Sequence, residues 1–219
     1  MIPYDALVDA SRACLDAGVR ILQGYRLADS DRAHVAELVD YMDPGYGTLW
    51  ADIGCGFGEV ANLMSRQRPD LGFVLLNNND FQLTVAPNRF LQLHADMHDI
   101  PLPPSSVDGC MFLYSLCHAE VFGVALGEAA RITRPGGHLF VFDYERVAGD
   151  DALLKDRLCA RALPWGRLCN IAMTAEWDIV MHVNPCGDDA LFRRLYGNDC
   201  EYDEIFRDLL PVIWKAVRR

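Results

Sequence analysis

The sequence is short of cations. Its 219 residues carry 20 Lys and Arg against 31 Asp and Glu, a formal net charge of −11. Binding to nucleic acid or to an anionic membrane needs a basic face that neutralises phosphates, so this deficit argues against both. A small anionic substrate held by a few local arginines stays open. No apolar run approaches the roughly 20 residues that span a bilayer. The N-terminal stretch MIPYDALVDASRAC lacks a cationic segment followed by an apolar core, which predicts no export signal. Together these absences predict a soluble, cytoplasmic protein. Repeats, linkers and low-complexity segments are absent too, so a single domain is expected. The eight cysteines form no CxxC pair and lie scattered between Cys14 and Cys200, which predicts buried or incidental thiols rather than a disulfide framework. His94 and His98 stand four apart, but in an expected loop, where helical zinc-ligand spacing does not apply; no metal site is predicted.

What is present is a 51% apolar chain, enough for one substantial core. The first forty residues space their apolar positions by three and four, which predicts two helices, the second capped by Asp29, Ser30 or Asp31. DPGYG then breaks the pattern. From Thr48 onward short apolar strands alternate with helical stretches: TLWADIG, EVANLMSRQ, GFVLLNN, FQLTVAPNR, FLQLHAD, VDGCMFLYS, VALGEAARIT and GHLFVFDY. That alternation predicts an α/β fold, a mostly parallel sheet with helices on both faces. Beyond Tyr144, AGDDALLKDRLCARALPWGRL reads as a helix, EWDIVMHVN as a strand and YDEIFRDLLPVIWKAVRR as a terminal helix. The expected division is a helical N-terminal cover (1–45), a ligand-binding core (48–145) and a C-terminal substrate-side region (146–219).

The strongest local chemistry is in WADIGCGFGEVANLM. A strand ends at Asp52, and Gly54, Cys55, Gly56, Phe57 and Gly58 turn into a helix starting near Glu59. Glycines permit a tight turn and a close backbone approach to a ligand. The dinucleotide spacing GxGxxG is not met, because Glu59 stands where the third glycine would be. An acid two residues before the first glycine suits a cationic amino-acid group better than a pyrophosphate.

This loop resembles motif I of class I S-adenosylmethionine (SAM)-dependent methyltransferases. HADMHDIPLPPSSVDGC and RITRPGGHLFVFD resemble later motifs of that family in the same order, and the likeness spans about Trp50 to Tyr144. It implies a Rossmann-like class I methyltransferase fold with SAM as methyl donor and S-adenosylhomocysteine as product. It also implies a donor site formed by Asp52, Gly54, Cys55, Gly56, Gly58, Asn77, Asn78, Gln82, Asp96, Met97 and Leu113. Within that set Asn77 takes the place of the acid that receives the ribose hydroxyls, and Asp96 would receive the adenine amino group. LNNNDFQL, from Leu76, is similar to the LNNNEYQ segment of sterol C-methyltransferases, and YSLCHAE, Tyr114 to Glu120, to their EATCHAP stretch.

The likeness implies methylation of an alkene carbon on an isoprenoid. The π bond attacks the methyl carbon, and the resulting carbocation loses a proton to a base. Candidates around the strand ends are His118 and Glu120 for the proton, with Tyr114, Tyr25 and Glu176 as further catalytic candidates. Tyr144, Trp165 and Trp177 are expected around the substrate, and Phe112, Asp143 and Glu145 lie nearby in sequence. The chain leaves little cover for a sterol, which favours a short prenyl diphosphate such as isopentenyl diphosphate. Arg167, Arg193, Arg194 and Arg26 are the candidate phosphate ligands. Two other readings stay open: O- or N-methylation of a small secondary metabolite, and a non-catalytic binding module. A homodimer is also left open.

Overall fold

The computed structural model describes residues 4–23, 25–185, 204 and 206–219. Its centre is a seven-stranded sheet in the order β3-β2-β1-β4-β5-β7-β6. The strands are β1 (Leu49–Ile53), β2 (Gly72–Asn77), β3 (Leu91–His94), β4 (Val107–Leu113), β5 (Thr133–Arg146), β6 (Trp177–Val183) and β7 (Leu209–Arg218). Strands β1 to β5 pair in parallel, and β7 runs antiparallel to both β5 and β6. The inner strands are buried on both faces, as their near-continuous apolar sequence requires.

Two helices form in the N-terminal segment, α1 (Tyr4–Asp16) and α2 (Asp31–Met42). Ser30 caps α2, its Oγ accepting from the Ala33 N–H at 3.2 Å. After β1, α3 (Glu59–Gln67) packs against α2, and α4 (Asp80–Val85) against α1. This face of the sheet holds one apolar cluster, built from Val35, Leu38, Trp50, Met64, Met111, Phe140 and Phe142 among others. The opposite face is covered by α5 (Phe122–Ile132) and α7 (Trp165–Thr174) over Ala51, Ile53, Phe112, Val141 and Trp177. A short α6 (Ala152–Leu158) precedes α7. Among the described residues no helix is long and apolar enough to cross a membrane.

Two elements differ from the sequence reading. The stretch from Asp150 to Leu168 is two helices, because Cys159 adopts a left-handed C-cap and Pro164 starts α7 as its N-cap. The expected terminal helix is instead strand β7. Val212, Ile213, Trp214 and Ala216 are fully buried between two neighbouring strands, with Arg146 to His138 of β5 paired against Leu209 to Val217. Proline in a helix interior removes a hydrogen bond, whereas Pro211 fits this strand opposite Tyr144. The β-branched Val212, Ile213 and Val217 favour the pleated, doubly buried position. The three- and four-residue spacing of the same apolar residues carried no such information.

Candidate functional site

The site grows from the end of β1. Asp52 is 2% exposed, and burial pushes its carboxyl up to about 7. Strand alternation puts it on the same face as Trp50, beneath the N-terminal cover. The chain then turns through three left-handed glycines, Gly54, Gly56 and Gly58. Two of them admit no side chain. A Cβ on Gly54 would lie 2.5 Å from Ser115 Cβ, and one on Gly58 would lie 2.7 Å from Leu75 Cδ1. The bend is tied to β2 where the Gly54 and Cys55 N–H groups both donate to the Leu76 carbonyl, at 2.9 and 3.0 Å.

The asparagine triplet divides into three jobs. Asn77 is buried and donates its Nδ2 hydrogens to the Gly56 carbonyl at 3.2 Å and to Gln82 Oε1 at 2.8 Å. Its Oδ1 accepts from the Asn79 N–H at 3.2 Å. Asn79 caps α4 by accepting from the Gln82 N–H at 3.1 Å, and Asn78 is exposed. An amide at position 77 suits this setting, because a carboxylate would have no hydrogen for the Gly56 carbonyl. Gln82 passes the network on, its Nε2 donating to Ser11 Oγ of α1 at 2.9 Å.

Beside the bend runs a narrow cleft lined by Ile53, Gly54, Leu76, Asn77, Asn78, Ala95 and Met97. It brings together Gly54, Asn77, Asn78 and Met97 from the sequence-derived donor set. Ile53, Leu76 and Ala95 were missed; they are apolar residues at the ends of strands or just beyond, with no local mark separating them from core. Asp96 sits in the turn between two lining residues with its side chain 60% exposed. Its carboxylate accepts from the His98 N–H at 2.8 Å, and contacts of this kind hold it below the usual carboxylate range against its partial burial. Leu113 closes the end of β4 in the apolar cluster.

Directly after Leu113, Tyr114 has φ 56°, a left-handed conformation that is a real outlier for a bulky residue. Strain of this kind costs on the order of 1–3 kcal/mol and collects at functional sites. The strained turn lodges the Tyr114 ring edge-on between Phe142 (4.7 Å) and Tyr144 (4.9 Å), and Tyr144 in turn meets Phe206 at 5.2 Å. Burial pushes the Tyr114 hydroxyl well above its ordinary range, so it is neutral. Tyr25 packs into the same cluster. Asp143 positions this turn: its carboxylate accepts from the Cys117 and Tyr144 N–H groups, both at 2.9 Å. Burial raises its pKa.

His118 and Glu120 are exposed on the turn after β4; His118 Nδ1 donates to the Cys159 carbonyl at 3.2 Å. Glu145 is bound by His182 Nε2 at 2.9 Å and Asn184 Nδ2 at 2.8 Å. Trp165 stacks on that histidine at 3.8 Å. Phe112 and Trp177 are fully buried core residues, and the Trp177 indole donates to the Leu126 carbonyl at 3.0 Å. Arg167 and the exposed Glu176 line a groove of about 760 Å³ between α5 and α7. The groove runs along both helices, from Gly123 and Arg167 in their first turns to Glu176 and Arg218 beside the start of β6, on the face of the sheet away from the N-terminal cover. Arg193 and Arg194 lie outside the described residues. No three metal-ligating side chains gather among the described residues.

Residues 51–141 match a family model described as a methyltransferase domain. The ubiquinone/menaquinone biosynthesis C-methyltransferase UbiE of Paraburkholderia phytofirmans is 29% identical over 130 residues, 56% of this chain and 53% of its own length. The chain thus spans about half of that curated relative. Among solved structures, the [4+2]-cyclase SpnF superposes with a TM-score of 0.80 at 19% identity, over 97% of this chain and 94% of that one. The geranyl diphosphate C-methyltransferase of Streptomyces coelicolor, solved with Mg2+, geranyl diphosphate and S-adenosyl-L-homocysteine, superposes with a TM-score of 0.74 at 13% identity, over 85% and 79%. The sheet order and these superpositions make the fold that of class I SAM-dependent methyltransferases.

Proposed function

We propose that this chain, whose residues 51–141 are a methyltransferase domain, is a SAM-dependent C-methyltransferase acting on an alkene carbon of an isoprenoid, a short prenyl diphosphate in preference to a sterol. In this assignment 48–145 is the donor-binding core, and the flanking regions 1–45 and 146–219 enclose the acceptor.

The observation that carries the reading is the junction at Leu113–Tyr114. A glycine bend with a buried acid stands on one side and a strained tyrosine in an aromatic cluster on the other. The residues present fit the donor. Ile53, Leu76, Ala95 and Met97 offer apolar walls to a flat base, and Asp52 favours a neighbouring cation that would restore its charge. SAM supplies an electrophilic methyl group bonded to sulfur. The chain holds the alkene in line with it and keeps water away, which lowers the barrier by orientation. When bound, the donor would supply its methyl to the alkene carbon, and the tertiary cation left on the substrate would be steadied by the faces of Tyr114 and Tyr144. His118 is assigned the proton: with Nδ1–H donated to Cys159, its Nε2 carries the free lone pair. UbiE and the geranyl diphosphate enzyme, both named as C-methyltransferases, support the reaction type.

The test is incubation with methyl-labelled SAM and a panel of isopentenyl, geranyl and farnesyl diphosphates, sterols and phenols. A label on carbon of a prenyl diphosphate is expected. Label on oxygen or nitrogen, or none with any acceptor, overturns the reading.

A further inference from the structure

The segment joining α1 to α2 buries polar donors that have nothing to bind. Gln23 is 5% exposed and Arg26 6%. Both flank His34, which is fully buried on α2. His34 Nδ1 accepts from the Leu27 N–H at 3.1 Å, so the ring hydrogen sits on Nε2 and is donated to Gln23 Oε1. Burial, with the Arg26 charge beside it, lowers the His34 pKa to about 3 and keeps this ring neutral. The tautomer fixes the Gln23 amide: its oxygen faces His34, and its Nε2 hydrogens are left over. That Nε2 has no acceptor. Arg26 gives one arm, Nη2, to the half-exposed Asp31, and its buried Nη1 has no acceptor either.

Two unsatisfied donors three residues apart, one of them cationic, are costly to bury. Each gives up its hydrogen bonds to water, and a charged group loses the most by it. Both missing partners are acceptors. The donors Tyr114 Oη, Asn79 Nδ2, Ser106 Oγ, Trp214 Nε1 and Arg218 Nε also lack partners, but none of them lies in this segment. The segment also lies against the glycine bend, since a Cβ on Gly56 would be 3.8 Å from Leu22 Cδ1. On its other side the His34 ring is 6.2 Å from Phe142, the neighbour of Tyr114.

We propose that Gln23 and Arg26 form a buried receptor for an oxyanion beside the glycine bend: the carboxylate of the methyl donor or the diphosphate of the acceptor. The identity of those two ligands rests on the function proposed above; the receptor itself rests on the unpartnered donors. Guanidinium and amide donors together match the paired oxygens of either group.

The test is calorimetry on the full chain with S-adenosylhomocysteine, its decarboxylated analogue and inorganic pyrophosphate, for wild type, Arg26→Met and Gln23→Glu. Gln23→Glu keeps the acceptor for His34 and replaces the free donor by a carboxylate oxygen. A drop of about tenfold to a hundredfold for S-adenosylhomocysteine, absent for the decarboxylated analogue, assigns the donor carboxylate. The same drop for pyrophosphate alone assigns the acceptor. Thermal melting separates recognition from packing: Arg26→Met removes an unsatisfied charge, so the ligand-free chain is expected to melt no lower than wild type. Unchanged affinity in both variants overturns the receptor while leaving the proposed function intact. Pyrophosphate binding that depends on Arg26, without any S-adenosylhomocysteine binding, upholds the receptor and removes the function. Binding of neither ligand by wild type removes both.

Discussion

Asn77 and Gln23 are both buried primary amides beside the glycine bend, yet their surroundings differ. Asn77 has two acceptors for its Nδ2 and a donor for its Oδ1, all from within the fold. Gln23 has one partner for its oxygen and none for its nitrogen. The contrast separates scaffold from recognition. A side chain whose valences are filled by its own chain holds a loop in shape, and one whose valences are left open is shaped for something that arrives.

The largest effect is expected from breaking the scaffold side. Gly54→Ala places a Cβ 2.5 Å from Ser115 Cβ at a φ of 77°, so the bend must move. Loss of S-adenosylhomocysteine affinity by about a hundredfold or more is expected in titration calorimetry. Asp52→Asn comes next and has a sign. Because the folded-state carboxyl is pushed up to about 7 by burial, the contribution of Asp52 to the stability of the ligand-free protein is fully present below its unfolded pKa of about 4 and is lost as pH rises through about 7. The asparagine variant should lose that slope, gain up to roughly 4 kcal/mol at pH 8 in urea melts, and bind the donor less well. A smaller loss, about 1–3 kcal/mol, is expected for Asn77→Asp, which faces the Gly56 carbonyl with no hydrogen to give. If Asn77→Asp is as stable as wild type, the scaffold half of the comparison fails.

The recognition side is sharpened by acid. His34 has a lowered pKa in the fold, so its contribution is fully present above about 6.5, the unfolded value, and declines as pH falls toward about 3. Protection factors from hydrogen exchange, with the pH dependence of the intrinsic rate divided out, should therefore fall in residues 25–42 between pH 7 and 5, while those of β1 and β4 hold. The smallest effect is expected for Arg167→Ala, which lines the groove between α5 and α7 on the sheet face away from Asp52. Donor affinity should stay within about twofold of wild type, as for surface changes away from a site.

Much of the fold was legible because hydrophobic period and turn chemistry are local. The run from Leu49 to Phe142 alternates doubly buried strands with amphipathic helices, and the glycine bend announces itself by three glycines next to an acid. The C-terminal strand was not legible. Its residues satisfy both a helical and an extended spacing, and only the open edge of β5 selects between them. Trp177 and Tyr114 show the same limit in side chains. Both are aromatic residues at the ends of strands, yet one is a filled core position and the other a strained turn. Nothing in their neighbours along the chain says which.

By itself the sequence determined the α/β order and the left-handed bend after Asp52, since each depends on bonding within a few residues or one strand. Only the tertiary structure decided that Arg167 and Glu176 line one groove on the other face of the sheet, and that Gln23 and Arg26 meet around His34 with donors to spare. The physical reason is that burial and hydrogen-bond satisfaction are properties of the packed chain: whether a polar atom has a partner depends on residues that the sequence places far away.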